Sequence, residues 1–235
     1  MLIGIIGAMD IEVQALKDLM KNPTVKTIST VDFYSGEING IDTVVAVAGV
    51  GKVNAAVCTQ TMILAYNPSY IINVGVAGGL SPEFKIGDIA VAENVVEHDM
   101  DTSPIGDVPG YISGINVVRI PCDRWLCEMM FTASQHIEGI KVLKGTIASG
   151  DQFISKDEER QKITSNFDAI AAEMEGASIG HVCYMNKVPF GVLRAISDGA
   201  NSDSAMDYPT FAKIAAEHSI KIILELLEDI KKSLA

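Results

Sequence analysis

The feature that most constrains the fold of this sequence is a recurrence of short apolar runs that stop at glycine or polar residues, with helically spaced stretches between them. Leu2 to Ile6 ends in Gly7, Ile71-Ile72-Asn73-Val74 enters a group of glycines, and Phe190-Gly191-Val192-Leu193 empties into charged residues. Runs without apolar/polar alternation belong to strands covered on both faces, which requires helices on either side of a sheet. Ile11, Ala15, Leu16 and Leu19 supply one helical stripe, and Val53, Val57, Met62 and Ile63 lie in a second stretch from Lys52 to Tyr66. Repeated strand-then-helix order predicts an α/β fold, a three-layer α/β/α arrangement around a central twisted sheet. Val31 to Ile38 and Ile41 to Ala48, joined by Asn39-Gly40, read as an antiparallel hairpin with a type I′ turn, so the sheet is expected to be mixed. Near the end, Asp207 is a candidate cap with Pro209 in the first helical turn. Phe211, Ile214, Ile222, Ile223, Leu226, Leu227 and Ile230 then form a helical stripe down to Lys231-Lys232, expected to cover one face of the sheet.

No internal repeat, low-complexity stretch or linker interrupts the 235 residues, which predicts a single domain over 1–235. With 18 basic against 30 acidic residues the net charge is −12, the wrong sign for neutralising many phosphates, so nucleic acid is not an expected partner. Cys58, Cys122, Cys127 and Cys183 show no metal-ligand spacing and read as reduced thiols. The first apolar run lacks a basic flank and is far shorter than the ~20 residues of a membrane span, which predicts a soluble, cytoplasmic protein with no membrane partner. Thr102 to Asn116, rich in Gly and Pro, reads as a long irregular loop of the kind that serves as a lid or partner contact.

Ligands of open α/β sheets bind beyond the carboxyl ends of the strands, so the polar residues following the apolar runs are the candidates for chemistry. Asp10 and Glu12 follow Gly7-Ala8-Met9; first-turn carboxylates that complement a helix dipole are the ordinary reading. Asn73-Val74-Gly75-Val76-Ala77-Gly78-Gly79 admits a ligand close to the backbone, or is a tight turn. It matches neither a dinucleotide nor a P-loop fingerprint, and Gly49-Val50-Gly51-Lys52 lacks the P-loop spacing. Ala171-Ala172-Glu173-Met174-Glu175-Gly176 carries an apolar strand into two carboxylates, either an alternating edge strand or a strand end whose turn separates the two acids into different roles. Arg194-Ala195-Ile196-Ser197-Asp198-Gly199 offers an Arg194–Asp198 ion pair or a fourth contribution to a site. Four such strand ends in one small domain favour a shared active site. His98, His136, His181 and His218 are scattered without metal-ligand spacing, so they read as structural and no metal is expected.

Taken in order, Gly4-Ile5-Ile6-Gly7-Ala8-Met9 with Glu12, Asn73-Val74-Gly75 with Ala77-Gly78-Gly79, Ser149-Gly150-Asp151 with Phe153-Ile154, Glu173-Met174-Glu175 and Arg194-Ala195-Ile196-Ser197-Asp198 closely resemble the methylthioadenosine/S-adenosylhomocysteine nucleosidases. These belong to the purine nucleoside phosphorylase-like superfamily, and the resemblance covers nearly the whole chain. It implies cofactor-free hydrolysis of the N-glycosidic bond of methylthioadenosine, S-adenosylhomocysteine and 5′-deoxyadenosine. On that resemblance Asp198 is the acid at adenine N7, Glu12 the base that activates water, and Glu175 the holder of the ribose hydroxyls. Phe153 stacks on adenine and the Ile154 backbone reads its amino edge, while Met9, Val50, Met174 and Tyr208 line the ribose and 5′-alkylthio pocket. Ala8, Val76, Ala77, Gly78 and Ser197 complete the substrate contacts together with Glu173 and Arg194. The family is typically a homodimer whose partner loop closes the 5′ pocket, here the segment around Ile105 to Pro109.

The chain departs from the family at Val76, where Ser is usual. Valine cannot hydrogen-bond, which leaves water placement to Glu12, Arg194 and the backbone, and predicts slower turnover or a shifted substrate preference. A phosphorylase on the same fold is the nearest rival. It needs several basic groups, whereas of Arg119, Arg124, Arg160 and Arg194 only the last follows a candidate strand end, and Glu12 would repel phosphate. A non-catalytic purine-nucleoside binder is the rival of another class, supported by Val76 and opposed by the retention of Glu12, Glu175 and Asp198.

Overall fold

A computed structural model describes residues 1–198 and 208–233. The strands are β1 (Leu2–Gly7), β2 (Lys21–Ile28), β3 (Val31–Ile38), β4 (Ile41–Val47), β5 (Tyr70–Gly79), β6 (Ile89–Glu97), β7 (Ile120–Pro121), β8 (Val142–Ser149), β9 (Ala169–Glu173) and β10 (Phe190–Asp198). The helices are α1 (Asp10–Leu19), α2 (Lys52–Tyr66), α3 (Arg124–Ser134), α4 (Asp157–Phe167), α5 (Gly176–Asn186) and α6 (Tyr208–Ser233). Asp207, the expected cap of the last helix, lies outside the described residues.

All strands join one mixed sheet. The apolar runs that lack alternation become its innermost strands: β10 is buried along its whole length, and β1 everywhere except Leu2. Both pair in parallel with β5, as β1 also does with β4. The sheet is not simply open. β5 pairs with β10 along most of its length and with β9 at Gly78-Gly79, and the path β10-β6-β8-β9 returns to it, so five strands close on themselves. The remaining strands β1, β4, β3 and β2 extend outward from β5. The expected hairpin is β3–β4, with Asn39 at φ 52 and Gly40 at φ 83, the positive values a type I′ turn demands.

Two apolar cores flank the sheet, giving the expected three layers. One packs α2 and α5 through Cys58, Met62, Ile179 and Cys183. The other packs α1, α3 and α6 through Leu16, Leu126, Met130, Ile222, Ile223 and Leu226. Helix α4 sets Ile163 and Phe167 against Val96 and Ala148. Two stripes differ from expectation. Helix α2 buries Ala55, Cys58, Thr59, Met62 and Ile63 and turns Val53 and Val57 outward. In α6 Ile214 is exposed, and Ala215 and Ala216 face inward in its place. No helix among the described residues is long and apolar enough to cross a membrane.

Candidate active site

Parallel pairing aligns the carboxyl ends of β1, β5 and β10, and separately those of β8 and β9; around the antiparallel β5–β9 contact, where the two groups meet, these strand ends border a cavity with about 660 Å³ of empty space, part of it open to solvent. That is the size range of small-molecule sites.

The two acids after β1 part company. Asp10 is exposed and paired with Lys17 at 2.9 Å, as an ordinary first-turn carboxylate. Glu12 is 2% exposed. Glu12 lies at the third position of α1, where its carboxylate reaches back over the helix start in the manner of a capping box. Its Oε2 accepts from the N–H groups of Ala8 at 2.7 Å and Met9 at 2.9 Å, and Oε1 accepts from the Val76 N–H at 3.1 Å. Gly75 makes room for it, since a Cβ there would lie 2.6 Å from Oε1. Burial raises the Glu12 pKa, against the lowering effect of Arg194 and the three backbone donors. The result is a carboxylate held in a fixed orientation whose remaining lone pairs face the cavity.

Asp198 ends β10 beside Gly78 of β5 and is 3% exposed. Its Oδ1 accepts from the Ser197 hydroxyl at 3.0 Å, and Arg160 Nη2 of α4 lies 3.6 Å from Oδ2. Burial raises its pKa, opposed by Ser197 and Arg160. A protonated carboxyl near neutral pH is the form a general acid requires. The Arg194–Asp198 pair considered from sequence does not form. Arg194 instead binds Glu173 and Asn73.

Glu173 and Glu175 have separate fates, because β9 stops at Glu173 and α5 starts at Gly176. The Glu173 carboxylate takes the Ser149 hydroxyl, the Arg194 guanidinium and the N–H groups of Glu175 at 3.1 Å and Gly176 at 2.8 Å. Burial works to raise its pKa, but Arg194 and these donors bring it below the ordinary value. With its lone pairs filled, Glu173 borders the cavity without a free acceptor to offer. Glu175 has one described donor, the Gly51 N–H at 2.8 Å. Burial first, then the charge of Glu173, push its pKa up to about 7.

The cavity wall contains Ala8, Met9, Glu12, Val50, Val76, Ala77, Gly78, Phe153, Ile154, Glu173, Met174, Glu175, Ser197 and Asp198, all expected from the sequence. Arg194, expected among them, is 1% exposed and lies behind the wall, holding Glu173. The side chain of Tyr208 lies outside the described residues. Leu80, Gln152, Ala172 and Arg160 also line the cavity. Arg160 was illegible because it reaches the site from the second turn of α4, with no apolar run before it to mark a strand end. Among the described residues no cluster of three or more His, Cys, Asp or Glu side chains could hold a metal.

Comparison with known proteins identifies the family. Residues 2–228 match the family model described as the phosphorylase superfamily. A 5′-methylthioadenosine/S-adenosylhomocysteine nucleosidase from Anoxybacillus flavithermus is 37% identical over 231 residues, covering 98% of this chain and 99% of the relative. The crystal structure of the corresponding nucleosidase from Neisseria meningitidis, in complex with methylthio-immucillin-A, superposes with a TM-score of 0.93 at 34% identity, covering 97% of this chain and 99% of that one. An aspartate-to-asparagine mutant of the Helicobacter pylori enzyme, with 5′-methylthioadenosine in its active site, superposes with a TM-score of 0.91 at 32% identity, covering 97% and 98%. On matches of this length and identity, the chain belongs to the phosphorylase superfamily and, within it, to the 5′-methylthioadenosine/S-adenosylhomocysteine nucleosidase family.

Proposed function

We propose that this protein hydrolyses the N-glycosidic bond of 5′-methylthioadenosine and S-adenosylhomocysteine, and of 5′-deoxyadenosine, releasing adenine and the 5-substituted ribose. The observation that carries the reading is the presence in one cavity wall of two buried acids with raised pKa values, Glu12 and Asp198, supplied by different strand ends. Asp198 donates its proton to adenine N7 as the C1′–N9 bond breaks, so the base departs neutral. Positive charge then develops on the ribose, and Glu12 accepts the proton of the water that adds to C1′. Such an oxocarbenium-like transition state calls for carboxylates beside the sugar, and Glu12 and Glu175 supply them. Glu175 accepts the ribose hydroxyls with the lone pairs left after its bond to Gly51. Phe153 stacks on the adenine, and the backbone of Ile154 meets its amino edge. The mutant relative that carries 5′-methylthioadenosine supports an aspartate in the chemical step.

Phosphorolysis fits less well. Arg160 is the one basic side chain among the described residues of the cavity wall, and it stands at Asp198, away from Glu12. An ionised Glu12 repels a phosphate approaching the anomeric carbon from its side. We read the chain as a single nucleosidase domain over 1–235, requiring no cofactor and acting in the cytoplasm, where its four cysteines remain thiols.

We further read the protein as a homodimer. Val53, Val57 and Leu64 of α2 are exposed at helical spacing, and Tyr184 and Met185 of the adjacent α5 extend the apolar face. Ile105 and Val108 in the long loop are exposed as well, suited to reaching a partner's 5′ pocket. The decisive experiment follows free adenine and 5-methylthioribose by chromatography after incubation with methylthioadenosine in phosphate-free buffer. Release of both is expected; strict dependence on added phosphate would replace hydrolysis by phosphorolysis.

A further inference from the structure

Beside the cavity lies a second cluster of charged groups, none of which forms its wall. Lys52, the first residue of α2, sets its Nζ 3.2 Å from Glu97 Oε2 and 2.7 Å from Asp99 Oδ1. The other oxygen of Asp99 accepts from the Asp151 N–H at 2.9 Å, and Asp151 Oδ1 accepts from the N–H of Lys52 at 2.7 Å. Lys52, Asp99 and Asp151 therefore close a ring of hydrogen bonds. Beyond it, Glu97 Oε1 meets His181 Nδ1 at 2.9 Å, and the Lys52 carbonyl accepts from the Ser178 hydroxyl at 2.6 Å. Lys52 is thus gripped at its N–H, its C=O and its ammonium. Burial works to lower the Lys52 pKa, yet Asp99 and Glu97 hold it above the ordinary value; both acids lie below theirs despite burial. The ion pairs of Lys52 with Glu97 and Asp99 are largely withdrawn from solvent, where ion pairs are least screened, while Asp151 closes the ring at the surface.

The ring ties together two segments that line the cavity and a third that leads away from it. The Gly49–Lys52 turn contributes Val50 and the Gly51 N–H, the segment after β8 contributes Phe153 and Ile154, and Asp99 begins the chain leading to the Ile105 loop. Gly51 has φ 97, a conformation that favours glycine, and a Cβ there would approach Asp151 Oδ1 to 3.0 Å. Its N–H, one residue from the gripped Lys52, is the donor to Glu175.

We propose that Lys52 is a positioning residue for the hydrolysis: its ring with Asp99 and Asp151 aims the Gly51 N–H at Glu175 and holds the Phe153 segment in register with the sugar side of the site. The proposal rests on the ribose-binding role given to Glu175 above. The groups that act on Glu175 are Glu173 from β9, Glu12 from α1, Arg194 from β10 and the Gly51 N–H; only the last two favour its ionised form. Loosening the ring weakens the Gly51 contribution and leaves Glu175 harder to ionise.

The test is a double-mutant cycle on the full-length protein with methylthioadenosine, comparing Lys52→Met in the wild-type and Glu175→Gln backgrounds across pH. Lys52→Met is expected to lower kcat/KM about tenfold in the wild-type background and less than about twofold in the Glu175→Gln background. It is also expected to move the acid limb of the wild-type profile up by about half a pH unit or more. Asp151→Ala, at an exposed side chain, removes the acceptor of the Lys52 N–H and carries the same cycle if Lys52→Met fails to fold. Equal losses in both backgrounds, or an unmoved acid limb, would make the ring merely structural and overturn the proposal. If Glu175→Gln itself retains full kcat/KM, the role of Glu175 falls, and this inference with it.

Discussion

Glu173 and Glu175 stand two positions apart, and the end of β9 between them decides which acid is spent on structure. Glu173 is committed to Arg194, Ser149 and the start of α5, whereas Glu175 keeps accepting capacity toward the cavity. Holding an acid with a pKa of about 7 where the ordinary value is 4.5 has a consequence for stability. The folded state binds that proton more tightly than the unfolded one, so the stabilisation is complete below about pH 4.5 and is lost as pH rises through about 7. Glu175→Gln, neutral at every pH, is therefore expected to melt above wild type at pH 8, with the gap closing toward pH 4.5; thermal unfolding at both pH values measures this. For the acid at the base, Asp198→Asn is expected to fold normally and to lose about 10²–10⁴-fold in adenine release. The acids and glycines of the wall were legible because they follow apolar strand ends, whereas Val50, Phe153 and Ile154 were expected only from the family resemblance. The partner choices were not: Arg194 turns to Glu173, and Arg160 meets Asp198, because strand pairing and the approach of α4 set those distances.

Among the elements, the β3–β4 hairpin was readable from Asn39-Gly40 alone, since two successive positive φ values admit few other residues. Strand β2 was not readable. Lys21–Ile28 contains Pro23, carries no buried residue and breaks register between Lys21 and Thr24, so its strand character comes from β3 offering an edge and not from its own pattern. Helix α2 was found at its observed limits, but its pattern did not separate the outward Val53 and Val57 from the buried Met62 and Ile63. Such ambiguity arises when a helix is apolar on two faces, one packed on the sheet and one exposed. Helix α5 shows how closely these layers approach: at Gly180 an added Cβ would lie 2.7 Å from the Phe190 ring and 2.9 Å from Val95 Cγ2. Gly180→Ala is accordingly expected to destabilise by about 1–3 kcal/mol through overpacking, with a melting temperature lower by roughly 2–4 °C per kcal/mol. Denaturant titration and calorimetry check it.

For the whole molecule, the proposed homodimer would tie assembly to catalysis through the exposed apolar residues of α2 and α5. If that dimer forms, a charge introduced there by Val57→Asp is expected to give a monomer by light scattering and to raise KM for methylthioadenosine through loss of the proposed partner loop from the 5′ pocket, while the unfolding of each protomer changes little. The closure of five strands through β5 bears on how the chain is made. Strand β5 finishes at Gly79, but its long parallel neighbour β10 does not begin until Phe190. Contacts of such sequence separation are slow to form. During synthesis, the first half of the chain must emerge with one side of β5 unpaired and wait for more than a hundred further residues before that strand is sealed. The nascent protein thus carries an open, apolar strand edge for about half of its translation, and the segment that finally covers it is also the one that delivers Asp198.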